Sequence, residues 1–236
     1  MLEEDIYYLG DSIEHEIKAK GRYGCKGEKR SKRKKATPEQ MARQNQWKKE
    51  AFVRRKIKAN FSPGDLWQTY KYPKGTRISY EQIKDDLQKY QRQMRREYKS
   101  RGQPYKWICR IEIGSRGGIH VHMIVNRLND PKADLIAQGT WGKITAGRIN
   151  YTNLYAEGGY AKLAKYITKK PNEEQMEQLK AYDAKAVKGM IKYTSSRNLI
   201  IPEPIRKRSH WRTIRKLVTE GITASEGYYV DPESVY

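Results

Sequence analysis

The chain has 236 residues, with 49 Lys and Arg against 27 Asp and Glu, a formal charge of +22. A surplus of that size repels itself unless a polyanion neutralises it, so nucleic acid is the expected partner. Cys25 and Cys109 form neither a disulfide framework nor a zinc pattern, and no stretch approaches the ~20 apolar residues of a membrane span, which excludes a disulfide scaffold and a membrane partner of that kind. The acidic start MLEEDIYYLGD lacks the order of a secretion signal, and a cytoplasmic protein is expected.

Residues 1–58 read as a basic N-terminal arm with a helix. KAKGRYGCKGEKRSKRKK is poor in apolar residues and cannot offset its ordering entropy, which predicts a flexible stretch. From Thr37, TPEQMARQNQWKKEAFVRRKIKAN offers an N-cap, a proline at the first helical position and apolar residues at Met41, Trp47, Phe52, Val53 and Ile57, a basic helix. NFSPGD is a turn, and LWQTYKY is a first strand stopped by Pro73. Ile83, Leu87, Tyr90, Met94 and Tyr98 then recur at helical spacing up to Gly102. YKWICRIEIG and GIHVHMIVN, joined by SRG, form an antiparallel hairpin. A short helix over 131–138, a glycine-interrupted strand in KITAGRINYTNL, a helix from about 159 to 170 and another over NEEQMEQLKAYDAKAVKGMIKY follow. SSRNLIIPEPIRKRSHW is irregular and basic, and the tail is acidic. The expected fold class is α+β, a central antiparallel β-sheet flanked by helices, divided as 1–58, a main domain over 59–215 and a tail over 216–236. The G-x-x-x-x-G-K-[ST] loop of a nucleotide-hydrolysing motor does not occur.

Side chains alternate along a strand, so His120 and His122 share one face while Ile119, Val121, Met123 and Val125 take the other. Two imidazoles with Cα atoms roughly 7 Å apart can lean onto one ion. In WICRIEIG, Trp107, Cys109, Ile111 and Ile113 share a face, leaving Arg110 and Glu112 opposite. A turn around Gly114–Gly117 then brings Glu112 across from the histidine pair. Two nitrogens and a carboxylate oxygen suit Mg²⁺ or Mn²⁺ reaching a phosphate, or Zn²⁺, and the ligand set does not choose among them. In YAKLAKYITKKP, Tyr160, Leu163, Ala164 and Ile167 make a buried stripe, and Tyr166 falls on the face of Lys162 and Lys169. Flanking ammonium groups are expected to favour its phenolate, a nucleophile toward phosphorus.

The E-x7-H-x-H of Glu112, His120 and His122, followed by the helical Y-x-x-K of Tyr166 to Lys169, resembles the HUH endonucleases, in particular the rolling-circle replication initiators of phages, plasmids and small single-stranded DNA viruses. FSPGDLWQTYKY, WGK and SSRNLIIPEP extend the resemblance over roughly residues 60 to 210. It implies an RRM-like split βαβ core, a divalent metal (Mg²⁺ or Mn²⁺) on Glu112, His120 and His122, and Tyr166 as the attacking residue with Lys169 beside it. It further implies nicking and rejoining of single-stranded DNA at an origin, with or without a hairpin, through a 5′-phosphotyrosine and a free 3′-OH. A separate host helicase and a bacterial cytoplasm follow from the same resemblance. The two-tyrosine initiators place their tyrosines four apart, and Lys162 stands at that position here, so a single-tyrosine enzyme is expected. The other Y-x-x-K, Tyr182 to Lys185, follows the acidic NEEQMEQ and is set aside. Arg110, Lys162, Lys165, Arg206 and Arg208 are expected on the DNA backbone, and Trp67, Trp107 and Trp141 are candidates for stacking on bases or for the core.

Two rival readings use the same residues. A non-catalytic single-stranded nucleic-acid binder would keep its function without the Tyr166 hydroxyl. A single-tyrosine transposase or a relaxase would share the site, although relaxases usually carry a third clustered histidine and this chain does not.

Overall fold

The computed structural model describes residues 2–19, 36–154 and 160–209. They fall into two compact units, one drawn from 1–59, 157–164 and 201–236, the other from 60–156 and 165–200.

In the first unit, β1 (Leu2–Leu9) and β2 (Ser12–Ala19) form an antiparallel hairpin that turns on Gly10 and Asp11, with Gly10 at φ +57°. The strand Ile205–Ser209, β8 in chain order, pairs with the other edge of β1. This corrects the expectation of an arm for the first residues and of irregular chain for IRKRS. Charged residues hide the strands in the sequence because Glu4 and Asp5 are buried with partners: Glu4 Oε1 lies 2.6 Å from His15 Nδ1, and Asp5 Oδ1 accepts from Arg206 Nε at 2.8 Å. The basic stretch 20–35, with Cys25, and the acidic tail lie outside the described residues.

The helix α1 (Pro38–Lys58) begins as the sequence predicts, with Thr37 and Gln40 in a capping box and Pro38 in the first turn. Its last turns hold Glu14 of β2. Arg54 Nη2 and Arg55 Nε each donate to Glu14 Oε2 at 2.9 Å, and Lys58 Nζ lies 3.1 Å from Oε1. Burial works to raise the Glu14 carboxyl, but these cations outweigh it and hold it at about 2.

The second unit carries β3 (Leu66–Lys71), α2 (Tyr80–Ser100), β4 (Trp107–Ile113), β5 (Ile119–Val125), α3 (Ala133–Thr145) and β6 (Arg148–Asn153). The helix α4 (Ala161–Thr168) follows, then α5 (Glu173–Leu179), α6 (Ala184–Ile191) and the short β7 (Tyr193–Ser195). The sheet order is β6-β3-β5-β4-β7, with every neighbouring pair antiparallel. The first strand of a β-α-β-β-α-β run thus lies between the third and the last, the split arrangement expected for an α+β fold. One face of the sheet packs on α2 and α3. Tyr70, Val121, Met123 and Cys109 meet Ile83, Leu87, Tyr90, Met94 and Tyr98 there, and each buried side chain of this size contributes on the order of 1.5–3 kcal/mol. Burial pushes the Cys109 thiol up to about 12, which leaves it an inert core group.

Two boundaries differ from the sequence reading. α3 continues seven residues beyond the expected end at 138, because Trp141 is fully buried against Tyr70, Tyr72 and Tyr90 and gives the glycine-bearing last turns a reason to stay helical. Gly147 then leads into β6, where a Cβ would stand 2.2 Å from the Lys71 carbonyl oxygen. The expected single helix over 172–193 is two, because Asp183 caps α6 by accepting from Ala186 N.

Candidate metal centre and tyrosine

The opposite sheet face carries the candidate site. The register sets Glu112 against His120 and Arg110 against His122 across β4 and β5, and sets Thr69 against His122 across β3 and β5. The turn between β4 and β5 closes with Gly114 N donating to Gly118 O at 2.7 Å. Gly117 sits there at φ +74°, with no room for a Cβ beside Gln178.

His122 Nε2 lies 3.1 Å from Glu112 Oε2, and His120 Nε2 lies 4.0 Å from the same oxygen. One ligand atom from each residue falls within 4.8 Å of the others. His122 is braced on its far side, with Thr69 Oγ1 3.2 Å from Nδ1 and the Trp67 ring stacked at 5.3 Å. Burial lowers the proton affinity of His120, and the neighbouring His122 adds to that. Two imidazoles, one of them held through its second nitrogen, and a carboxylate fit a divalent cation. Glu112, His120 and His122 would hold it.

The tyrosine arrives on α4, where Ala164 and Ile167 are buried and Lys162 and Lys165 are exposed, as the helical stripe predicts. Tyr166 Oη donates to Glu112 Oε2 at 2.6 Å and lies 2.9 Å from His122 Nε2. Lys169, just past the helix, puts Nζ 2.6 Å from Glu112 Oε1 and 4.1 Å from the centre of the Tyr166 ring. Burial works to raise the Glu112 carboxyl, yet hydrogen bonds from His122, Lys169, Tyr166 and Gln175 hold it well below the usual carboxylate range. The phenol moves the other way. Burial and the Glu112 carboxylate push Tyr166 well above the ordinary tyrosine value, against the expectation drawn from its flanking lysines, while Arg110 pulls it down.

Arg110, expected on a phosphate, is only 2% exposed. Its Nη1 donates to the carbonyls of Tyr166, Ile167 and Lys169 at 3.2, 2.8 and 2.8 Å, so its charge anchors the tyrosine segment instead of facing solvent. Arg206 belongs to the first unit, where Asp5 and Glu3 take up its charge, and Arg208 is exposed on the same strand. Trp141 is core, Trp107 packs at the core's edge, and Trp67 alone of the three stands at the candidate site. Tyr182 packs against the core.

Gln175 is a participant that the sequence does not announce. The N-x-x-Q of Asn172 to Gln175 signals a helix cap, and nothing local signals that the same side chain reaches β4.

Residues 65–171 match the family model of the ORF2-type replication-associated proteins. That span runs from the start of β3 to just past Lys169, so it contains the histidines, Glu112, Tyr166 and Lys169, and it covers less than half of the chain. No curated protein and no solved structure matches. The match supports a replication initiator and with it a DNA partner. No described helix is long and apolar enough to cross a membrane.

Proposed function

We propose that the protein is a rolling-circle replication initiator that nicks single-stranded DNA at an origin and later rejoins it, using Tyr166 as its one nucleophile. The observation that carries this reading is the position of the Tyr166 hydroxyl, 2.6 Å from Glu112 Oε2 and 2.9 Å from His122 Nε2, on the three residues suited to a divalent ion. A bound Mg²⁺ or Mn²⁺ would draw charge from the non-bridging oxygens of the scissile phosphate.

The chain's own groups supply the rest. Arg110 clamps the backbone from Tyr166 to Lys169, which fixes the direction of the phenol. Where the Glu112 charge is offset, Arg110 and the Lys169 ammonium over the ring remain to favour the phenolate. The phenolate oxygen forms a bond to phosphorus as the bond to the 3′ oxygen breaks, giving a 5′-phosphotyrosine and a free 3′-OH that primes synthesis. The phosphodiester energy is kept in the tyrosyl ester, so attack by a 3′-OH reverses the step and closes the strand. Beside the site, Lys71 and Trp67 on β3 and the exposed Arg148, Asn150 and Thr152 on β6 share the sheet face with the histidines. The strand runs over this face, with Trp67 available to stack on a base and the exposed Lys162 and Lys165 of α4 available to the backbone. Strand separation falls to a separate host helicase.

The test is incubation with labelled single-stranded DNA from the element's own origin, with and without Mn²⁺. The reading requires a metal-dependent protein–DNA adduct that survives denaturation and disappears in Y166F. A protein that binds this DNA but forms no adduct is a binder and not an endonuclease.

A further inference from the structure

We propose that Gln175 is a positioning residue for the candidate metal centre, one that selects which oxygen of Glu112 faces the ion. This inference rests on the metal reading of Glu112, His120 and His122 and deepens it.

Gln175 is buried at 9% exposure in the first turn of α5, and its amide is used at both ends. Oε1 accepts from Asn172 N at 3.1 Å, while the Asn172 side chain accepts from Gln175 N at 2.8 Å. The capping box therefore fixes the orientation of the amide, because the oxygen is committed to the helix start and the NH₂ must point away from it. Nε2 then donates to Ile113 O at 2.8 Å and to Glu112 Oε1 at 2.9 Å. The first bond ties α5 to β4 next to Glu112, and the second holds the carboxylate itself.

The consequence is a division of the carboxylate. Oε1 receives Gln175 and Lys169, whereas Oε2 faces Tyr166 and the two histidines. Rotating the carboxylate to offer both oxygens to one ion would break a buried hydrogen bond and an ion pair, so Glu112 presents a single oxygen. Lys169 can leave Oε1 for a phosphate without loosening the carboxylate, because Gln175 stays. Gln175 also lies beyond residue 171, where the family match ends, so this support is a feature of the present chain.

The experiment titrates Mn²⁺ calorimetrically into the metal-free full-length protein, with Mn²⁺ spin resonance as a second readout. Wild type is compared with Q175M, which keeps the shape and has no N–H donor, and with Q175N, which keeps the amide and is one methylene short. N172A removes half of the cap and leaves the Gln175 donors in place. Q175M and Q175N are expected to bind Mn²⁺ about 10- to 100-fold more weakly, with N172A close to wild type, since a lost outer hydrogen bond to a ligand typically has this effect. Wild-type affinity in Q175M and Q175N overturns the inference, as does an equal loss in N172A, which would reduce Gln175 to a helix cap. E112Q separates this from the underlying reading: it must lose binding, and if it binds as wild type does, the metal centre itself is wrong and the inference falls with it.

Discussion

His122 and His120 look equivalent in the sequence and are not equivalent in the fold. His122 is buried, with Thr69 at its Nδ1 and Trp67 on its ring, whereas His120 has neither contact and stands 30% exposed. The Thr69 hydroxyl fixes which nitrogen of His122 turns toward Glu112, so T69V should weaken Mn²⁺ binding about tenfold in a calorimetric titration, with little change in melting temperature. That Glu112, His120 and His122 converge is legible in the sequence, because strand alternation and a tight glycine turn leave one geometry for E-x7-H-x-H. The fates of Arg110 and Tyr166 are less legible. Alternation puts Arg110 on the correct face, but the segment that covers that face comes more than fifty residues later, and its carbonyls claim the guanidinium. The lysines beside Tyr166 in sequence give the wrong sign for its phenol, since burial and the carboxylate from β4 dominate in three dimensions.

Helices with a clean apolar stripe are legible, and α2 buries the five predicted side chains. The N-terminal hairpin is hidden because its strands carry charges at buried positions, although Gly10 and Asp11 between two strand-like runs are the available signal. Those charges supply a test of the first unit. Glu14 is depressed to about 2 from an ordinary 4.5, so its stabilising contribution is complete above about pH 4.5 and is lost as the pH falls toward 2. E14Q should therefore lower stability by about 1–2 kcal/mol at pH 7, a figure reduced for the partial exposure of the cluster. The gap in melting temperature between E14Q and wild type should close as both are acidified through that window. A gap that is constant with pH would mean that the cluster with Arg54, Arg55 and Lys58 contributes nothing through charge.

The charge of +22 is a property of the entire chain and is legible from composition alone. The division into a three-stranded unit and a five-stranded unit is not, because the first is assembled from segments some two hundred residues apart. Backbone contacts by Lys and Arg make affinity fall with salt, at about −0.7 in log–log slope per phosphate for a single strand. If about four phosphates are contacted, affinity for an unrelated oligonucleotide should drop roughly 50-fold between 50 and 200 mM salt, read by fluorescence anisotropy. A flat response would locate the binding energy in stacking on Trp67 and other aromatics instead.

Mapping the site of covalent attachment bears most directly on the role given to Tyr166. The adduct formed with origin DNA and Mn²⁺ is denatured, digested with nuclease and trypsin, and examined by mass spectrometry. A nucleotide remnant on the peptide of residues 166–169 is the predicted result. A remnant on the peptide bearing Tyr182, or on any residue other than Tyr166, would contradict it.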